Sequence, residues 1–304
     1  MSLLHKDILT IAENRFTEEN CLTPRLDAER LLCHMLDRDK SYLFVHYGDY
    51  LDEDACERYF KLVDIRASGV PLQYITGEQE FMGLPFVVNE NVLIPRQDTE
   101  TLVETVIKEV KKSKAEGRSR MGGLGGIQIL DLCCGSGAIA VSLAVHLREQ
   151  KVKITAADVS EKALEVAKKN AAANNAGEVK FVQGDLFEPF KTKKSGEAKK
   201  PFDIIVSNPP YIPTGVLPTL MREVRDHEPL LALDGGKDGI DFYLRILREA
   251  PSYLKKGGLL LMEIGYDQGP VVTALAEASG AYAPAQVIKD PAGQDRIVRL
   301  ERLS

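Results

Sequence analysis

The sequence predicts an α/β protein: a mainly parallel seven-stranded sheet with helices on both faces, preceded by a small all-α helical bundle and a β-hairpin joint. Apolar residues recur with helical spacing over roughly the first 70 residues. From about residue 96, short β-branched runs alternate with helical stretches, which is typical of a parallel sheet. We therefore expect a helical domain at residues 1–75, a hairpin at 76–95 and an α/β domain at 96–304.

Length and composition are those of an ordinary globular protein with more than one core. The chain has 304 residues, which favours two domains, and 44% of them are hydrophobic. The formal net charge of −6 disfavours a generic nucleic-acid binder. The five cysteines form no C-x-x-C pair and the histidines are scattered, so we expect neither a disulfide framework nor a metal site. Because no signal-peptide core or membrane-length apolar run is present, we expect a cytoplasmic protein without a membrane partner. We also expect a monomer.

Three apolar stripes predict the helices of the first domain. Each stripe follows the i, i+3, i+4 spacing of one helix face. A Thr23-Pro24 pair before the second stripe suits an N-cap followed by the first helical position. The predicted core comprises Ile8, Ile11, Ala12 and Phe16, then Ala28, Leu31, Leu32 and Met35, and then Cys56, Tyr59, Phe60 and Val63.

Two apolar runs around a polar triplet predict the hairpin joint. Residues 86–88 (FVV) and 92–94 (VLI) flank Asn89-Glu90-Asn91, and Pro95 closes the second run. Short β-rich runs separated by turn residues are the usual signature of a hairpin.

Seven apolar runs predict the strands of the sheet. They are residues 127–132, 152–157, 179–182, 203–207, 259–264, 285–289 and 296–300, with helices that include 160–174 and 239–254. Two stretches rich in lysine and glycine, 111–126 and 191–200, are predicted to be exposed, mobile loops. The DGGKDG stretch at 234–239 lacks the ligand alternation of a calcium loop and is predicted to be a turn that caps the next helix.

A glycine-rich turn follows the first strand of the predicted sheet. Asp131-Leu132-Cys133-Cys134 leads into Gly135-Ser136-Gly137, where glycines allow a ligand to approach the backbone and the helix that follows offers free N–H groups. The second strand ends at Asp158, whose carboxylate can accept both hydroxyls of a ribose. The pattern also satisfies the dinucleotide-binding fingerprint, so an NAD-dependent enzyme remains a rival.

Two further acids favour a different cofactor. Asp131 places a carboxylate beside the glycine turn, which would repel a pyrophosphate but suits a cationic sulfonium with an amino-acid tail. Asp185 ends the third strand, where it can accept from an adenine amine. Ligands of such sheets bind at the carboxyl ends of the strands near the topological switch point. Three acids at this edge therefore favour S-adenosylmethionine.

The stretch SNPPYIP (207–213) ends the fourth strand, because neither proline has an N–H to donate to a ladder. An amide nitrogen is a poor nucleophile, since its lone pair is delocalised into the carbonyl. The side-chain oxygen of Asn208 and the carbonyl of Pro209 can accept from the two amino hydrogens and favour a pyramidal nitrogen. Pro209 and Pro210 hold the backbone rigid, and Tyr211 can stack on a planar amide or base. We expect positioning, without a metal or a strong base, to supply much of the rate.

The order DLCCGSGAIA, AAD, GDLF and SNPPYIP resembles that of class I methyltransferases acting on planar nitrogen. Adenine DNA methyltransferases share NPPY with the PrmC/HemK family, which methylates a glutamine of peptide chain release factors. The flanking stretches PLQYITG, FMGLPFVV, VLIPRQDTE, EPLLALDGGKDGIDFY, MEIGYDQG and DPAGQDRIV are similar to the release-factor family. The likeness spans roughly residues 70–304, and the helical first domain suits that family's substrate-docking domain.

The resemblance implies a Rossmann-like class I methyltransferase fold and a set of site residues. Cys133, Cys134, Gly135, Ser136, Gly137, Asp158, Asp185 and Leu186 would line the S-adenosylmethionine pocket. Asn208, Pro209, Pro210 and Tyr211 would hold the substrate glutamine of a Gly-Gly-Gln motif, with Asn208 also next to the cofactor. Residues 96–100 would reach the cofactor or the mouth of the site.

The sequence departs from the family pattern at two places. Cys133 and Cys134 stand where a glycine and a threonine are usual, and Gln97-Asp98 replaces the usual Pro-Glu. Both cysteines are small enough to keep the turn, provided that their φ angles are negative or mildly strained. Two rival functions remain: a nucleic-acid adenine methyltransferase, disfavoured by the acidic total and the absence of a separate recognition domain, and a non-catalytic nucleotide-binding module, disfavoured by the intact NPPY.

Overall fold

The computed structural model describes residues 2–115, 126–191 and 202–303. The chain forms two compact units, one made of Met1–Glu78 with Leu220–His227 and the other of Gln79–Thr219 with Glu228–Ser304. Within the described residues, no helix has both the length and the apolar character that a membrane span requires.

The first unit is a helical bundle with one small β-ladder. Its elements are β1 (Leu3–Leu4), α1 (His5–Glu18), α2 (Pro24–Leu36), α3 (Lys40–Val45), β2 (Tyr50–Leu51), α4 (Glu53–Ala67), α5 (Leu72–Thr76) and α9 (Arg222–His227). α2 begins at Pro24, as the sequence predicts. Asp52 caps α4, since its side chain accepts from the backbone N–H of Ala55 at 2.7 Å.

The predicted stripes form the core of this bundle, with one exception. Ile8, Ala12 and Phe16 are fully buried, but Ile11 is 45% exposed. Leu9 is buried in its place, because the buried face of α1 is centred between positions 8 and 9 and residue 11 falls on its far edge.

The second unit contains a seven-stranded sheet. Its strands are β5 (Ile127–Leu132), β6 (Val152–Asp158), β7 (Lys180–Gln183), β8 (Phe202–Ser207), β9 (Leu254–Glu263), β10 (Gln286–Lys289) and β11 (Asp295–Glu301). The spatial order is β10-β11-β9-β8-β5-β6-β7. β5 pairs in parallel with β6 and with β8, and β11 is antiparallel to both of its neighbours. The chain thus moves outward from β5 in one direction and returns to β8 on the other side, which makes the β5–β8 boundary the topological switch point.

Helices cover both faces of this sheet, as the sequence predicts. They are α6 (Gln97–Ala115), α7 (Ala138–His146), α8 (Glu161–Ala173), α10 (Asp241–Glu249) and α11 (Gly269–Ala278). One core contains residues of α6, α7 and α8 together with Ile129, and the other contains residues of α10 and α11 together with Leu130. Consecutive strand residues point to opposite cores, so both faces must be apolar.

The hairpin lies within the predicted joint at 76–95, but its strands are not the predicted runs 86–88 and 92–94. β3 (Glu78–Phe81) and β4 (Leu84–Val87) form the two-stranded sheet. Met82 and Gly83 connect them with φ angles of +54° and +73°, the combination that a tight type I′ turn needs. Residues 89–91 do form a turn, but 92–94 are not a strand.

Two other predicted boundaries are wrong for local reasons. The helix expected at 239–254 is α10, which ends at Glu249, because Pro251 cannot donate to an α-helical ladder. Residues 111–115, expected in a loop, are the last turn of α6. The remainder of that predicted loop, 116–125, and residues 192–200 of the second predicted loop lie outside the described residues.

Candidate active site

A cleft opens to solvent at the carboxyl edge of the sheet in the second unit, and the space within it, including open solvent at its mouth, is about 760 Å³. Its walls come from the ends of β5, β6, β7 and β8 and from the chain after β4. The residues that line it are Asn91, Val92, Leu93, Cys133, Gly135, Ala157, Asp158, Val159, Ser160, Ala163, Gly184, Asp185, Leu186, Asn208, Pro210, Pro229, Leu231, Ala232 and Phe242.

The glycine-rich turn after β5 forms one wall of the cleft. Gly135 has a φ of +52°, and a Cβ at that position would meet no described atom within 4 Å, so the turn is open to a ligand there. Gly137 has a φ of +79°, and its Cβ would lie 3.1 Å from the Cβ of Ala167. The first glycine therefore leaves space for a ligand, whereas the second allows α7 to pack closely against α8.

Asp158 lines the cleft at the end of β6, as the sequence predicts. Its Oδ2 accepts from the backbone N–H of Gly135 at 2.8 Å and its Oδ1 accepts from that of Ser160 at 2.9 Å. Burial raises the pKa of this carboxyl, and the backbone N–H groups of Ser160, Gly135 and Val159 oppose that shift. Each oxygen engages one backbone donor and retains a lone pair for a ligand hydroxyl.

Asp131 does not line the cleft, although the sequence interpretation placed it there. Its side chain is fully buried, and Oδ2 accepts from the backbone N–H of Ala140 at 3.1 Å in the first turn of α7. Oδ1 has no hydrogen-bond partner among the described residues. Burial raises the pKa of this carboxyl well above its ordinary value. Asp131 therefore caps the first turn of α7, which follows the glycine-rich turn.

Asp185 and Leu186 lie on the cleft, and Asp185 has a partner that sequence reasoning missed. The Arg245 guanidinium of α10 donates to Oδ2 of Asp185 at 2.6 Å. The same guanidinium lies 5.7 Å from the ring centre of Phe242, which also lines the cleft. The pairing orients the carboxylate and leaves Oδ1 as its second acceptor. A sequence separation of 60 residues hides this pair from any local motif.

Asn208 is the first residue after β8, and its amide is held by another element. Its Nδ2 donates to the Thr99 hydroxyl in the first turn of α6 at 3.1 Å. In this orientation the donor end of the amide faces Thr99, and Oδ1 is the acceptor on the cleft side. Asn208 and Pro210 line the cleft, whereas Pro209 is buried beneath them.

Tyr211 does not line the cleft, and hydrogen bonds to two other residues hold it in place. Its hydroxyl donates to Oε1 of Glu263, at the end of β9, at 3.4 Å. Its carbonyl accepts from the side-chain amide of Gln268 at 3.0 Å. A Cβ at Gly239 would lie 2.4 Å from that carbonyl. The 234–239 turn thus supports the NPPY segment, in addition to bonding the start of α10 through Asp241 N to Gly235 O.

The other residues predicted for this region are not among those that line the cleft. Cys134 and Ser136 are buried. Arg96 pairs with Glu228, Asp98 with Arg296, and Glu100 accepts from the backbone N–H of Met82 at 2.7 Å. Among residues 96–100, Thr99 forms a hydrogen bond with a residue of the cleft, Asn208.

Asn170 is a further positioning residue that sequence reasoning missed. It is fully buried in α8, and its Nδ2 donates to the carbonyls of Ser136 at 2.9 Å and of Val87 at 3.0 Å. Its Oδ1 accepts from Val87 N at 2.7 Å. One side chain therefore joins the glycine-rich turn to β4. A polar residue on a helical stripe is the only local signal of this role.

Comparison with known proteins identifies the family. The PrmC N-terminal domain matches residues 7–77, and a methyltransferase domain matches residues 125–299. The release factor glutamine methyltransferase of Moorella thermoacetica is 44% identical over 90% of this chain and 89% of its own length. Two further proteins have the same description. That of Clostridium botulinum is 36% identical over 99% of this chain and all of its own length, and that of Bacillus subtilis is 39% identical over 89% of each chain.

The fold and the match to a methyltransferase domain define a class I, S-adenosylmethionine-dependent methyltransferase. This excludes the dehydrogenase rival. Within that class, the chain belongs to the family of release factor glutamine methyltransferases, which confirms the resemblance found in the sequence.

Proposed function

We propose that this protein transfers a methyl group from S-adenosylmethionine to the side-chain amide nitrogen of the glutamine in the Gly-Gly-Gln motif of peptide chain release factors. The observation that carries the proposal is the fixed amide of Asn208, whose donor end is held by Thr99 so that Oδ1 is the acceptor on the cleft side. The names of the relatives at 36–44% identity support the same substrate.

The lining of the cleft fits the proposed cofactor. Asp158 retains acceptor capacity for the ribose hydroxyls, and Oδ1 of Asp185 is available to an adenine amine. Leu186, Phe242 and Val159 supply apolar wall for the base. The open backbone at Gly135 suits the amino-acid tail. Bound there, the cofactor supplies a methyl group activated by the positive charge on sulfur.

Asn208 and Pro209 orient the amide that receives this methyl group. An amide hydrogen donated to Oδ1 of Asn208, and a second donated to the Pro209 carbonyl, hold the nitrogen with its lone pair directed outward. That geometry weakens delocalisation into the amide carbonyl. The rigid Pro209-Pro210 backbone, supported by the 234–239 turn, keeps both acceptors in place before the substrate arrives, so little reorganisation is needed. The proton on nitrogen leaves to water after transfer.

An adenine amine presents the same pair of hydrogens, so a nucleic-acid adenine methyltransferase is the second candidate. It would need a basic face for the phosphate backbone. The formal net charge of −6 and the family assignment favour the release factor.

The test is direct. The protein is incubated with a release factor and isotopically labelled S-adenosylmethionine, and mass spectrometry locates the label. We expect a single methyl group on the glutamine of the Gly-Gly-Gln motif, and none on a release factor in which that glutamine is replaced by asparagine. Label on DNA or RNA oligonucleotides in parallel reactions, with none on the release factor, would overturn the proposal.

A further inference from the structure

A strained turn after β7 carries Asp185 to the cleft. Leu186, within this turn, has a φ of +48°, in the left-handed region that a leucine disfavours. A Cβ at Gly184 would lie 2.2 Å from Cγ of Pro189, so the backbone passes too close to that ring for any side chain. Strained backbone persists only where its surroundings hold it, and it is concentrated at functional sites. The contacts that hold this turn therefore bear on what Asp185 does.

Arg245, from α10, contacts the turn through its guanidinium. Its Nη2 donates to Oδ2 of Asp185 at 2.6 Å. Phe242 lies three residues earlier in the same helix and lines the cleft, and its ring centre is 5.7 Å from the Arg245 guanidinium. Residues three apart on a helix are neighbours on its surface. The same face of α10 thus supplies an apolar wall of the cleft and a charged donor to an acid that lines it.

The pair contributes more to geometry than to stability. The side chains of Arg245 and Asp185 are 36% and 40% exposed, and ion pairs in such surroundings contribute little to folding because water screens the attraction. A carboxylate whose Oδ2 is engaged by a guanidinium cannot rotate freely, however. Its Oδ1 then keeps a fixed position, and no described residue donates to it, so its lone pairs are available to a ligand.

We propose that Arg245 is a specificity-determining positioning residue for the cofactor, which holds Oδ2 of Asp185 so that Oδ1 meets the 6-amino group of the adenine base. The inference rests on the cofactor site described under the proposed function and is independent of the methyl acceptor. Arg245 acts through Asp185 and makes no contact with the base itself. Its contribution is therefore expressed only toward ligands that carry the amine.

A purely structural role for Arg245 predicts a different result. If Arg245 only stabilised the turn, its loss would displace Asp185 and Leu186 together, and every ligand of the cleft would bind less tightly. If it positions Oδ1, its loss weakens the binding of a ligand that has the amine and spares one that lacks it. The ratio of the two affinities separates the two roles.

Calorimetry on the full-length protein measures this ratio with S-adenosylhomocysteine and with its analogue that has hydrogen in place of the 6-amino group. Wild type should bind the first ligand roughly tenfold more tightly, because the amine donates to a charged acceptor. Arg245→Met nearly keeps the length of the side chain but removes the charge and the donors. It should reduce the ratio to about threefold or less, with the Kd of the analogue unchanged. Arg245→Lys retains a donor and should recover part of the ratio.

Two further variants complete the experiment. Arg248→Met is the matched control, because Arg248 is in the same helix with a side chain that is 75% exposed and does not line the cleft. It should leave both affinities unchanged. Asp185→Ala should lose the ratio as well, and the addition of Arg245→Met should reduce it no further, since the two residues act on the amine as one unit.

An unchanged ratio in Arg245→Met, or equal weakening of both ligands, would overturn the inference. A wild-type protein without preference for the amine, or one that binds neither ligand, would overturn it together with the cofactor site. Failure of the proposed methyl acceptor gives a different result: the release factor stays unmodified while the ratio of affinities still falls in Arg245→Met.

Discussion

Cys133 has a backbone conformation that its side chain disfavours. Its φ is +59°, in the left-handed region where a Cβ meets the following carbonyl. The family usually has glycine at this position, and the structure thus answers the question that the sequence left open: the turn is retained with a strained cysteine. The thiol lies on the cleft, and burial raises its pKa, which keeps it neutral beside Asp158.

We predict that Cys133→Gly is more stable than Cys133→Ala by about 1 kcal/mol, because both lose the thiol and only glycine relieves the strain. Free energies of unfolding from urea titrations measure the difference. Cys134, which is not among the positive-φ residues, provides the control. There the alanine variant should be more stable than the glycine variant. If alanine is the more stable replacement at both positions, Cys133 is not strained.

Glu263 should make stability depend on pH. Its pKa is raised from 4.5 to about 7 in the folded state by burial, so between these values the folded protein retains a proton that the unfolded chain has lost. Stability therefore falls as the pH rises through this window, by up to about 3 kcal/mol. Glu263→Gln should gain stability relative to wild type between pH 5 and 8. A parallel pH profile for wild type and Glu263→Gln would contradict this.

Three residues that sequence reasoning placed on the cleft share a simple property: each lies at the carboxyl end of a strand or within two residues after it. They are Asp158, Asp185 and Asn208, and parallel strands bring their carboxyl ends to one edge. Thr99, Arg245 and Glu263 could not be predicted in the same way. Each reaches the site from an element distant in sequence, and its role depends on side-chain packing that periodicity does not encode.

At the scale of elements, the NPPY segment depends on the turn at 234–239. Gly235 N donates to the Ile212 carbonyl at 2.8 Å and Thr214 N donates to that of Gly236 at 2.9 Å. A Cβ at Gly235 would lie 2.7 Å from the Cα of Tyr211. The two backbones are too close for any side chain between them. The turn thus holds the NPPY segment in place.

Gly239→Ala should therefore impair transfer without loss of cofactor affinity. Its φ of +73° and a Cβ 2.4 Å from the Tyr211 carbonyl require the segment to shift, which we expect to slow single-turnover transfer tenfold or more. Gly293→Ala is the matched control, with a φ of +83° and no described atom within 4 Å of its Cβ. Equal rates in the two variants would mean that the turn does not position the NPPY segment.

The strands of the hairpin show where element prediction fails. The sequence of residues 86–88 and 92–94 suggests paired strands. In the structure Val88, Val92 and Ile94 are buried, but they belong to an irregular segment and not to a strand. The pairing that forms uses the less apolar β3, because Met82-Gly83 supplies the turn that a two-residue hairpin demands. Turn geometry, rather than apolar content, decided the register.

At the scale of the molecule, the chain separates a helical unit from a unit that contains the whole cleft. The cleft residues all belong to Gln79–Thr219 and Glu228–Ser304. In the first unit, buried Arg66 donates to Asp27 at 2.8 Å and to Glu223 at 2.7 Å, which anchors α9 to the amino-terminal helices. We propose that this unit docks the release factor and that the cleft alone carries the chemistry.

A chain that lacks residues 1–75 should keep its affinity for S-adenosylmethionine but lose most of its kcat/KM on an intact release factor, because remote contacts position the substrate loop. A short Gly-Gly-Gln peptide is the internal control: both chains should methylate it slowly and equally. If the shortened chain modifies the intact release factor as well as the full chain does, the docking role is wrong.

The central claim is that the Asn208 amide orients the substrate nitrogen, and single-turnover methyl transfer to a release factor by Asn208→Ala tests it most directly. Loss of one of two preorganised acceptors should slow the step by about 10²–10³, while calorimetry shows largely unchanged binding of S-adenosylmethionine. A rate near that of the wild type would mean that the SNPPYIP stretch is only a turn.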